Sequence, residues 1–319
     1  MNKNVCVVGA GYWGKNHIRI LNRLNVLKGI VELDANILKN FLNKYPGVQG
    51  YSSIEDALLG DYDGFIIATP AKTHFEIAKR IMNAQKHLLI EKPMTLSIEE
   101  ARELVVLSEI NKVNAMVGHV LLFHPAVKKI KEMIGNGEIG DLQYVYSNRL
   151  NLGKVRTEEN VFWSLAPHDI AIFQYLTESI PKKINAIGST FLQKGIPDST
   201  LTQLEYENGV RGHIFVSWLH PFKEHRLVVI GSEAMISFED SLKDKPLKLY
   251  SKKINLKSGI PEKIDGPVRM IPFENKMPLD IELEYFIDHL SNVKPKISNV
   301  EHGYEVVKTL VDASKQILI

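Results

Sequence analysis

The segment Gly9-Ala10-Gly11-Tyr12-Trp13-Gly14 constrains the fold most, because it follows an apolar run, Val5 to Val8, and precedes a helical pattern. In a strand-turn-helix of this kind, Gly9 permits the tight turn, Gly11 lets the backbone approach a pyrophosphate, and Gly14 lets the helix pack on the strand. The helix N-terminus then holds the phosphates. The segment therefore predicts a dinucleotide-binding unit. Tyr12 and Trp13 are expected to cover the pyrophosphate, although simple packing of the loop would explain them equally well.

Acidic residues close the second apolar run, Gly29 to Leu33. A carboxylate at this point accepts hydrogen bonds from the ribose hydroxyls of the cofactor and repels a 2′-phosphate. Glu32 is the first candidate for this role and Asp34 is the second. The predicted cofactor is therefore NAD rather than NADP.

Length and charge narrow the class of protein. A chain of 319 residues that is 45% hydrophobic exceeds one ordinary domain, so two domains are expected. The net charge of +2 gives no reason to expect nucleic acid or an anionic membrane as a partner, and favours a small molecule. The single cysteine, Cys6, lies in the first apolar run and is expected to be a buried, inert thiol. With no membrane span or signal peptide expected, we predict a cytoplasmic protein.

Residues 1–120 alternate short apolar runs with helical segments, which is typical of a parallel sheet covered on both faces. Helix N-caps are predicted at four positions in this part, Asp34, Ser53, Thr73 and Ser97. The fold class is therefore α/β, with an N-terminal Rossmann domain over residues 1–120.

Residues 121–319 form the predicted second domain, for substrate binding and oligomerisation. Longer strand-like runs are separated by turns such as Glu207-Asn208-Gly209, which argues for a large, mostly antiparallel sheet. One open face of this sheet would support a homodimer or homotetramer. Residues 251–278 are rich in Lys, Pro and Gly and are predicted to be a loop, and two helices, near 279–292 and 300–318, close the chain.

The cluster Glu91-Lys92-Pro93 directly follows the apolar strand Leu88 to Ile90. Ligands of an open parallel sheet bind beyond the carboxyl ends of its strands, which places Glu91 and Lys92 at the cofactor site. Lys92 is able either to polarise a substrate hydroxyl as a cation or to act as an acid or base. A solvated lysine at a strand end is the alternative. Three further residues, Thr69, Pro70 and His74, are expected to line the nicotinamide ribose.

Together, these motifs resemble the Gfo/Idh/MocA oxidoreductase family. The resemblance rests on Gly9 to Gly14, on Ala68-Thr69-Pro70 with Thr73-His74, on Glu91-Lys92-Pro93 and on Gly118-His119. It implies a Rossmann domain, a second α/β domain whose open sheet forms oligomer contacts, and NAD(P)-dependent oxidation or reduction of a sugar or polyol carbon. It also implies that Lys92 and a histidine of the second domain act at the reacting hydroxyl.

The resemblance assigns the histidine to His168, in the segment Ala166-Pro167-His168-Asp169. The family often has an aspartate four residues earlier, where this chain has Ser164, and a glycine at Ala166. We expect His168 to remove the hydroxyl proton while Lys92 stabilises the alkoxide, because a histidine titrates near neutrality. The reverse assignment stays open, as does a purely structural His168.

Within the family, the chain looks most like dehydrogenases that oxidise C3 of UDP-N-acetylglucosamine or its uronate. Arg149 and Arg156 would then pair with a diphosphate or carboxylate, and Asn151 would bind sugar hydroxyls. Solvated charges and a turn asparagine are the alternatives for these three residues. No metal is expected, since His119 and His124 lack companion ligands. The competing functions are a keto-sugar reductase, a free sugar or inositol dehydrogenase, and a non-catalytic dinucleotide-binding regulator.

Overall fold

A computed structural model describes residues 3–256, 259–291 and 293–317. The chain divides into two compact units. The first contains the chain up to Val120 together with Met277–Lys308, and the second contains Leu121–Lys276 and the chain from Thr309 onward. These units differ from the predicted domain boundaries, because residues 277–308 fold with the first unit rather than with the second.

Helices and strands alternate regularly only in the first part of the chain. The strands are β1 (Val5–Val8), β2 (Leu27–Val31), β3 (Gln49–Tyr51), β4 (Gly64–Ile67), β5 (His87–Glu91), β6 (Ala115–Gly118), β7 (Leu142–Leu150), β8 (Pro181–Ser189), β9 (Ser199–Tyr206), β10 (Arg211–Ser217), β11 (Glu224–Gly231), β12 (Met235–Glu239), β13 (Leu247–Asn255) and β14 (Glu262–Met270). The helices are α1 (Gly14–Arg23), α2 (Ala35–Lys44), α3 (Ile54–Leu58), α4 (His74–Asn83), α5 (Ile98–Ile110), α6 (Pro125–Gly135), α7 (Val161–Thr177), α8 (Pro278–Asp288) and α9 (Val300–Ile317).

The first unit is built on a parallel sheet with the strand order β3-β2-β1-β4-β5-β6. Every residue of β1 and β4 is buried, which explains why these strands are continuous apolar runs rather than alternating ones. The order reverses beside β1, and the crevice beyond the carboxyl ends of the strands at such a point is the usual ligand site. The Rossmann-type sheet is therefore confirmed.

Local capping chemistry fixes where several helices of the first unit begin. The Asp34 side chain accepts hydrogen bonds from two amides of α2, and the Ser53 and Ser97 hydroxyls each accept one, from an amide in the first turn of α3 and of α5. Thr73 does not cap α4, because its hydroxyl contacts Thr69 Oγ1 and the carbonyl of Pro70 instead. Three of the four predicted caps are thus confirmed.

The second unit is built on an eight-stranded sheet with the order β14-β13-β12-β11-β7-β10-β9-β8. Strands β7 and β10 are parallel, and the other neighbours are antiparallel. In β7, Val145, Ser147 and Arg149 are buried, whereas Tyr144 and Tyr146 are half-buried. Since α7 contacts β7, β9 and β10, it covers the buried face. The mostly antiparallel sheet is confirmed.

Residues 251–278 were predicted to form a loop, and this prediction is wrong for much of the segment. Strand β14 pairs with β13 at the edge of the sheet. Nearly all of β14 is exposed, and it contains Gly266 and Pro267. An edge strand tolerates proline and needs no buried alternation, so the periodicity that identifies an inner strand is missing.

Candidate functional site

The glycine turn after β1 has the geometry that a dinucleotide requires. Gly9 has a φ of +92°. A Cβ at Gly14 would lie 1.9 Å from the carbonyl oxygen of Gly9, so the first turn of α1 packs directly on the loop. A Cβ at Gly11 would meet no heavy atom of the described residues within 4 Å. Gly11 therefore presents its backbone to open space, which fits the approach of a pyrophosphate.

A pocket of about 290 Å³ lies beside this turn. Five residues predicted for cofactor binding line it, namely Gly9, Gly11, Glu32, Thr69 and Pro70. Its apolar walls include Leu33, Ile54 of α3 and Ile77 of α4. The sequence contains no signal for these three, because an apolar side chain on a helix or after a strand is usually explained by packing alone. An apolar pocket with a carboxylate in its lining suits an adenosine moiety.

The structure separates the two acidic candidates of the second strand. Glu32 Oε2 accepts a hydrogen bond from the amide of Ala10 at 2.8 Å, and Glu32 Oε1 accepts one from the amide of Asp34 at 3.0 Å. These bonds hold the Glu32 carboxylate at the pocket. Asp34 instead caps α2 through the amides of Asn36 and Ile37. Glu32 is thus the better placed carboxylate for a ribose.

Tyr12 and Trp13 form an exposed aromatic pair beside Gly11. Their exposed fractions are 74% and 41%, and the rings meet edge to face with centroids 6.2 Å apart. The Lys15 ammonium lies 4.7 Å from the centroid of the Tyr12 ring. Core packing therefore does not explain Tyr12, and its role over the pyrophosphate stays a prediction.

Glu91 supports the loop that carries Lys92. At the end of β5, its Oε1 contacts His17 Nε2 at 2.7 Å, and its Oε2 accepts a hydrogen bond from the Lys92 amide at 3.2 Å. Both side chains of the Glu91–His17 pair are largely buried. Gly118 leaves the necessary room, because a Cβ there would lie 3.1 Å from Glu91 Oε2. Glu91 does not line the pocket beside the glycine turn, so its contacts indicate a positioning role for the Lys92 backbone.

His74 differs from its predicted place on the nicotinamide ribose. Its side chain is buried, with Nδ1 2.9 Å from the carbonyl oxygen of Pro93 and Nε2 2.8 Å from that of Thr69. Burial lowers the pKa of His74, and this effect outweighs the two backbone contacts that raise it. The imidazole therefore links the loops that follow β4 and β5, and its nitrogens are engaged by the protein backbone.

Two buried ionisable residues of the first unit were not assigned a role from the sequence. Both carboxyl oxygens of Glu282 in α8 are buried without a hydrogen-bond partner among the described residues. Burial, with the nearby Glu91, raises the pKa of Glu282 well above its usual range. Burial also lowers the pKa of His119, next to His302 and Lys92, well below its usual range. In both cases burial favours the uncharged form of the side chain.

In the second unit, the predicted catalytic histidine lies near the middle of α7, which begins seven residues earlier, at Val161. Asn160 caps this helix by accepting a hydrogen bond from the Trp163 amide at 3.1 Å. His168 is half-buried and directly follows Pro167, which lies inside the helix. Ser164, which replaces the family aspartate, is buried. The helix thus presents His168 beside a fully buried neighbour, Asp169.

Arg149 does not lie where a diphosphate-binding arginine is expected. It is buried, and its guanidinium donates two hydrogen bonds to Asp169, Nε to Oδ2 at 2.8 Å and one NH₂ group to Oδ1 at 2.9 Å. Burial alone would lower the pKa of Arg149, but the Asp169 carboxylate outweighs this effect and raises it. The predicted substrate role of Arg149 is therefore corrected to an internal ion pair.

The other predicted substrate residues lie on the loop after β7. The backbone amide of Asn151 donates to the carbonyl of Ser217 at 3.0 Å. The Arg156 side chain is half exposed, with Nε 3.8 Å from Glu159 Oε1, and its carbonyl accepts a bond from Gln193 at 2.9 Å. Arg156 is therefore accessible to an anionic ligand, and the roles of Asn151 and Arg156 stay predictions.

The described part of the chain contains neither a membrane-spanning helix nor a metal cluster. No helix there is both long and apolar enough to cross a bilayer. Within the same residues, no group of three or more His, Cys, Asp or Glu side chains is arranged to hold a metal ion.

Comparison with family models identifies both parts of the chain. Residues 3–119 match a model described as an oxidoreductase family with an NAD-binding Rossmann fold, and residues 127–237 match the GFO/IDH/MocA C-terminal domain. The chain belongs to the Gfo/Idh/MocA oxidoreductase family. Its first unit is accordingly an NAD-binding domain, in agreement with the glycine turn and the pocket beside it.

Individual relatives are similar over most of the chain. UDP-N-acetylglucosamine 3-dehydrogenase from Acidithiobacillus ferrooxidans is 25% identical over 94% of this chain and 93% of its own length. Inositol 2-dehydrogenase from Corynebacterium glutamicum is 29% identical over 65% of this chain and 64% of its own length. A solved structure of the Acidithiobacillus ferrooxidans enzyme shares the fold, with a TM-score of 0.87, 22% identity, and coverage of 99% and 98%.

Proposed function

We propose that this protein uses NAD to oxidise a sugar hydroxyl, at C3 of a UDP-linked N-acetylamino sugar or its uronate. The observation that carries the proposal is the similarity to UDP-N-acetylglucosamine 3-dehydrogenase, which extends over 94% of the chain. The product would be a 3-keto sugar nucleotide. The chemistry requires a hydride acceptor, a group that takes the hydroxyl proton and a charge that stabilises the oxygen.

The first unit supplies the residues for NAD. Gly11 leaves its backbone open to the pyrophosphate, and Glu32 is held by two amides beside an apolar pocket. The Glu32 carboxylate would accept bonds from the adenosine ribose and repel a 2′-phosphate, which favours NAD over NADP. Bound NAD⁺ accepts the hydride, and the protein supplies orientation and charge.

Lys92 and His168 are the proposed catalytic residues. His168 takes the proton from the hydroxyl oxygen, because histidine is the side chain generally suited to acid–base catalysis near neutral pH. The Lys92 ammonium stabilises the negative charge that develops on that oxygen as the hydride leaves. The Glu91 contact with the Lys92 amide supports the loop that presents this ammonium. In the alternative assignment, Lys92 takes the proton and His168 donates a hydrogen bond.

A substrate without a nucleotide is the second candidate. Arg149 is occupied by Asp169, which removes one of the two arginines expected to bind a diphosphate. The similarity to an inositol 2-dehydrogenase supports the same alternative. Arg156 then distinguishes the two candidates, because an accessible guanidinium at this position would serve a diphosphate but not an uncharged polyol.

Self-association is proposed through the face of the eight-stranded sheet that α7 does not cover. Tyr144, Tyr146 and His213 lie on this face, and the Tyr146 and His213 rings stack at 4.9 Å. Aromatic side chains of this kind are enriched at interfaces. We propose a homodimer or homotetramer, which light scattering of the purified protein would measure.

The deciding experiment follows NADH absorbance after the protein and NAD⁺ are mixed with UDP-N-acetylglucosamine, with its uronate, or with inositol. An aminotransferase and an amino donor draw off any 3-keto product. Lys92→Ala and His168→Ala should abolish NADH formation while NAD binding persists, and Lys39→Ala, an exposed change on α2, should not alter it. NADH formation only with inositol would replace the nucleotide-sugar proposal. Absence of turnover with intact NAD binding would favour a reductase or a regulator.

A further inference from the structure

Arg149 and Asp169 form the best defined buried charge pair of the second unit. The guanidinium of β7 and the carboxylate of α7 meet in two parallel hydrogen bonds, an arrangement that fixes both distance and orientation. The side chains retain exposed fractions of only 11% and 3%. The pair therefore fastens one turn of α7 to the sheet beneath it.

That turn is the one that carries His168. Successive residues of a helix point about 100° apart, so an inward Asp169 directs the preceding side chain toward the flank of the helix. This agrees with the half-buried position of His168. Rotation of the turn would move both side chains together. The direction of the imidazole is thus set by the residue that follows it.

Pro167 makes this turn weaker than an ordinary helical turn. Proline has no amide hydrogen, so residue 167 is unable to donate to the carbonyl of residue 163, and its ring crowds that carbonyl. Helices bend most readily at such positions. A second attachment to the sheet, made by a side chain, compensates for the missing backbone bond.

Other charged groups around the pair hold it in place from the sheet side. His225 lies opposite Arg149 in the β7–β11 register, and Asp240 contacts Lys245 at 2.8 Å and His124 at 3.6 Å. A small cavity between these side chains is lined by Arg149, Asp169, His225 and Asp240. Asp240 is held by Lys245 and His124, so Asp169 is the carboxylate that hydrogen-bonds the Arg149 guanidinium.

We propose that Arg149 and Asp169 are positioning residues, which fix the direction of the His168 imidazole by tying its helical turn to β7. This inference rests on the proposed function, in which His168 takes the substrate proton. The chain has a serine, Ser164, four residues before the histidine, so that position supplies no carboxylate to orient His168.

The test separates positioning from stability with a paired apolar replacement. Replacing a buried ion pair with apolar residues of similar volume is often neutral or stabilising, whereas removing one partner is costly. Arg149→Met/Asp169→Leu should therefore keep its thermal unfolding midpoint within a few degrees of the unaltered protein. Its kcat should still fall at least tenfold, with KM for NAD⁺ within twofold. Arg149→Lys, which keeps the charge but loses the two-bond geometry, should give an intermediate kcat.

The matched control is Lys182→Met/Glu205→Leu, an exposed ion pair on the same sheet, which should leave kcat unchanged. Full kcat in Arg149→Met/Asp169→Leu, with the fold retained, would overturn the inference. If the paired variant shows no cooperative thermal unfolding, Arg149→Lys is measured instead. A kcat of Arg149→Lys equal to that of the unaltered protein would then overturn the inference.

His168→Ala distinguishes failure of this inference from failure of the proposed function. If His168→Ala retains turnover, the proposed function of His168 is wrong. If it abolishes turnover while Arg149→Met/Asp169→Leu is fully active, only the positioning inference is wrong. If both proposals are correct, the paired replacement should lower any rate that remains detectable in His168→Ala by less than twofold, because the residue being positioned is absent.

Discussion

The two units build their candidate sites from different parts of the chain. In the first unit, the contacts at the cofactor pocket are made largely by backbone: an open Gly11, the Ala10 amide on Glu32, and the carbonyls that hold His74. In the second unit, the setting of His168 depends on side chains, above all Arg149 and Asp169. A site whose contacts come from backbone atoms should tolerate changes of side chain but not of backbone geometry. A site whose contacts come from side chains should be sensitive to the identity of those side chains.

The largest expected effect contrasts two glycines of the same turn. Gly14→Ala forces a Cβ to within 1.9 Å of the Gly9 carbonyl, so we expect a loss of more than about 4 kcal/mol in the free energy of unfolding. Gly11→Val should leave stability almost unchanged, because its side chain enters open space, but should weaken NAD binding at least tenfold. Denaturant unfolding and calorimetric titration measure the two effects. Equal destabilisation by both changes would contradict the comparison.

Removal of one charge from the second unit should have the next largest effect. Asp169→Asn leaves a buried guanidinium without its counter-charge, which we expect to cost about 3–5 kcal/mol of unfolding free energy. Asp312→Asn, in an exposed pair with Lys315, is the control and should cost less than about 0.5 kcal/mol. Similar midpoints for the two variants in urea unfolding would show that the pair is not strongly coupled.

A pH titration should sharpen the comparison in the second unit. Burial, with Arg149, lowers the pKa of His225 from 6.5 to about 4. Because the unfolded chain binds this proton first, stability is lost as the pH falls from about 6.5 to about 4, by about 3 kcal/mol. His225→Gln should remove most of this loss. Unfolding curves at several pH values measure it, and an unchanged slope in the variant would refute the assignment.

The first unit should show the opposite dependence. Burial and Glu91 raise the pKa of Glu282, so the folded state keeps a proton that the unfolded chain releases above about pH 4.3. Stability contributed by this group is present at low pH and is lost as the pH rises toward the folded pKa. Glu282→Gln should therefore be more stable than the unaltered protein at pH 8 and equal to it at pH 4. Thermal unfolding at both pH values provides the test.

The smallest expected effect concerns the choice of cofactor. Glu32→Ala removes the carboxylate proposed to bind the ribose, and we expect NAD affinity to fall about tenfold, or about 1.4 kcal/mol. Affinity for NADP should rise, because the repulsion of its 2′-phosphate is gone. Asp34→Asn, which retains a capping side chain on α2, is the control. Unchanged discrimination in Glu32→Ala would remove the argument for NAD specificity.

Sequence patterns predicted the first unit better than the second for a physical reason. The glycine turn and the caps at Asp34 and Ser53 depend on residues a few positions apart, so their chemistry is visible locally. The contact between His17 and Glu91 joins residues 74 positions apart, and no periodicity indicates it. Arg149 was predicted to bind substrate, because the sequence near it does not reveal that Asp169, 20 residues away, is its counter-ion.

Strand β14 shows the same limit at the level of the fold. Among the described strands it pairs with β13 alone, so its residues contact one neighbouring strand and are otherwise exposed to water. Buried and exposed residues therefore do not alternate along β14, as they do along the inner strands. Its prediction as a loop was therefore wrong, although the overall two-sheet architecture was correct.

The return of residues 277–308 to the first unit affects the order in which the chain is able to fold during synthesis. At the start of β4, Gly64 leaves a space that is filled by Leu290 and Phe286, with a Cβ at Gly64 lying only 2.4 Å from the former. When the first 120 residues have been synthesised, Leu290 and Phe286, which cover this strand, have therefore not yet been translated. The Rossmann sheet is therefore synthesised early, but the cover of β4 is complete only after residues 277–308 have been translated.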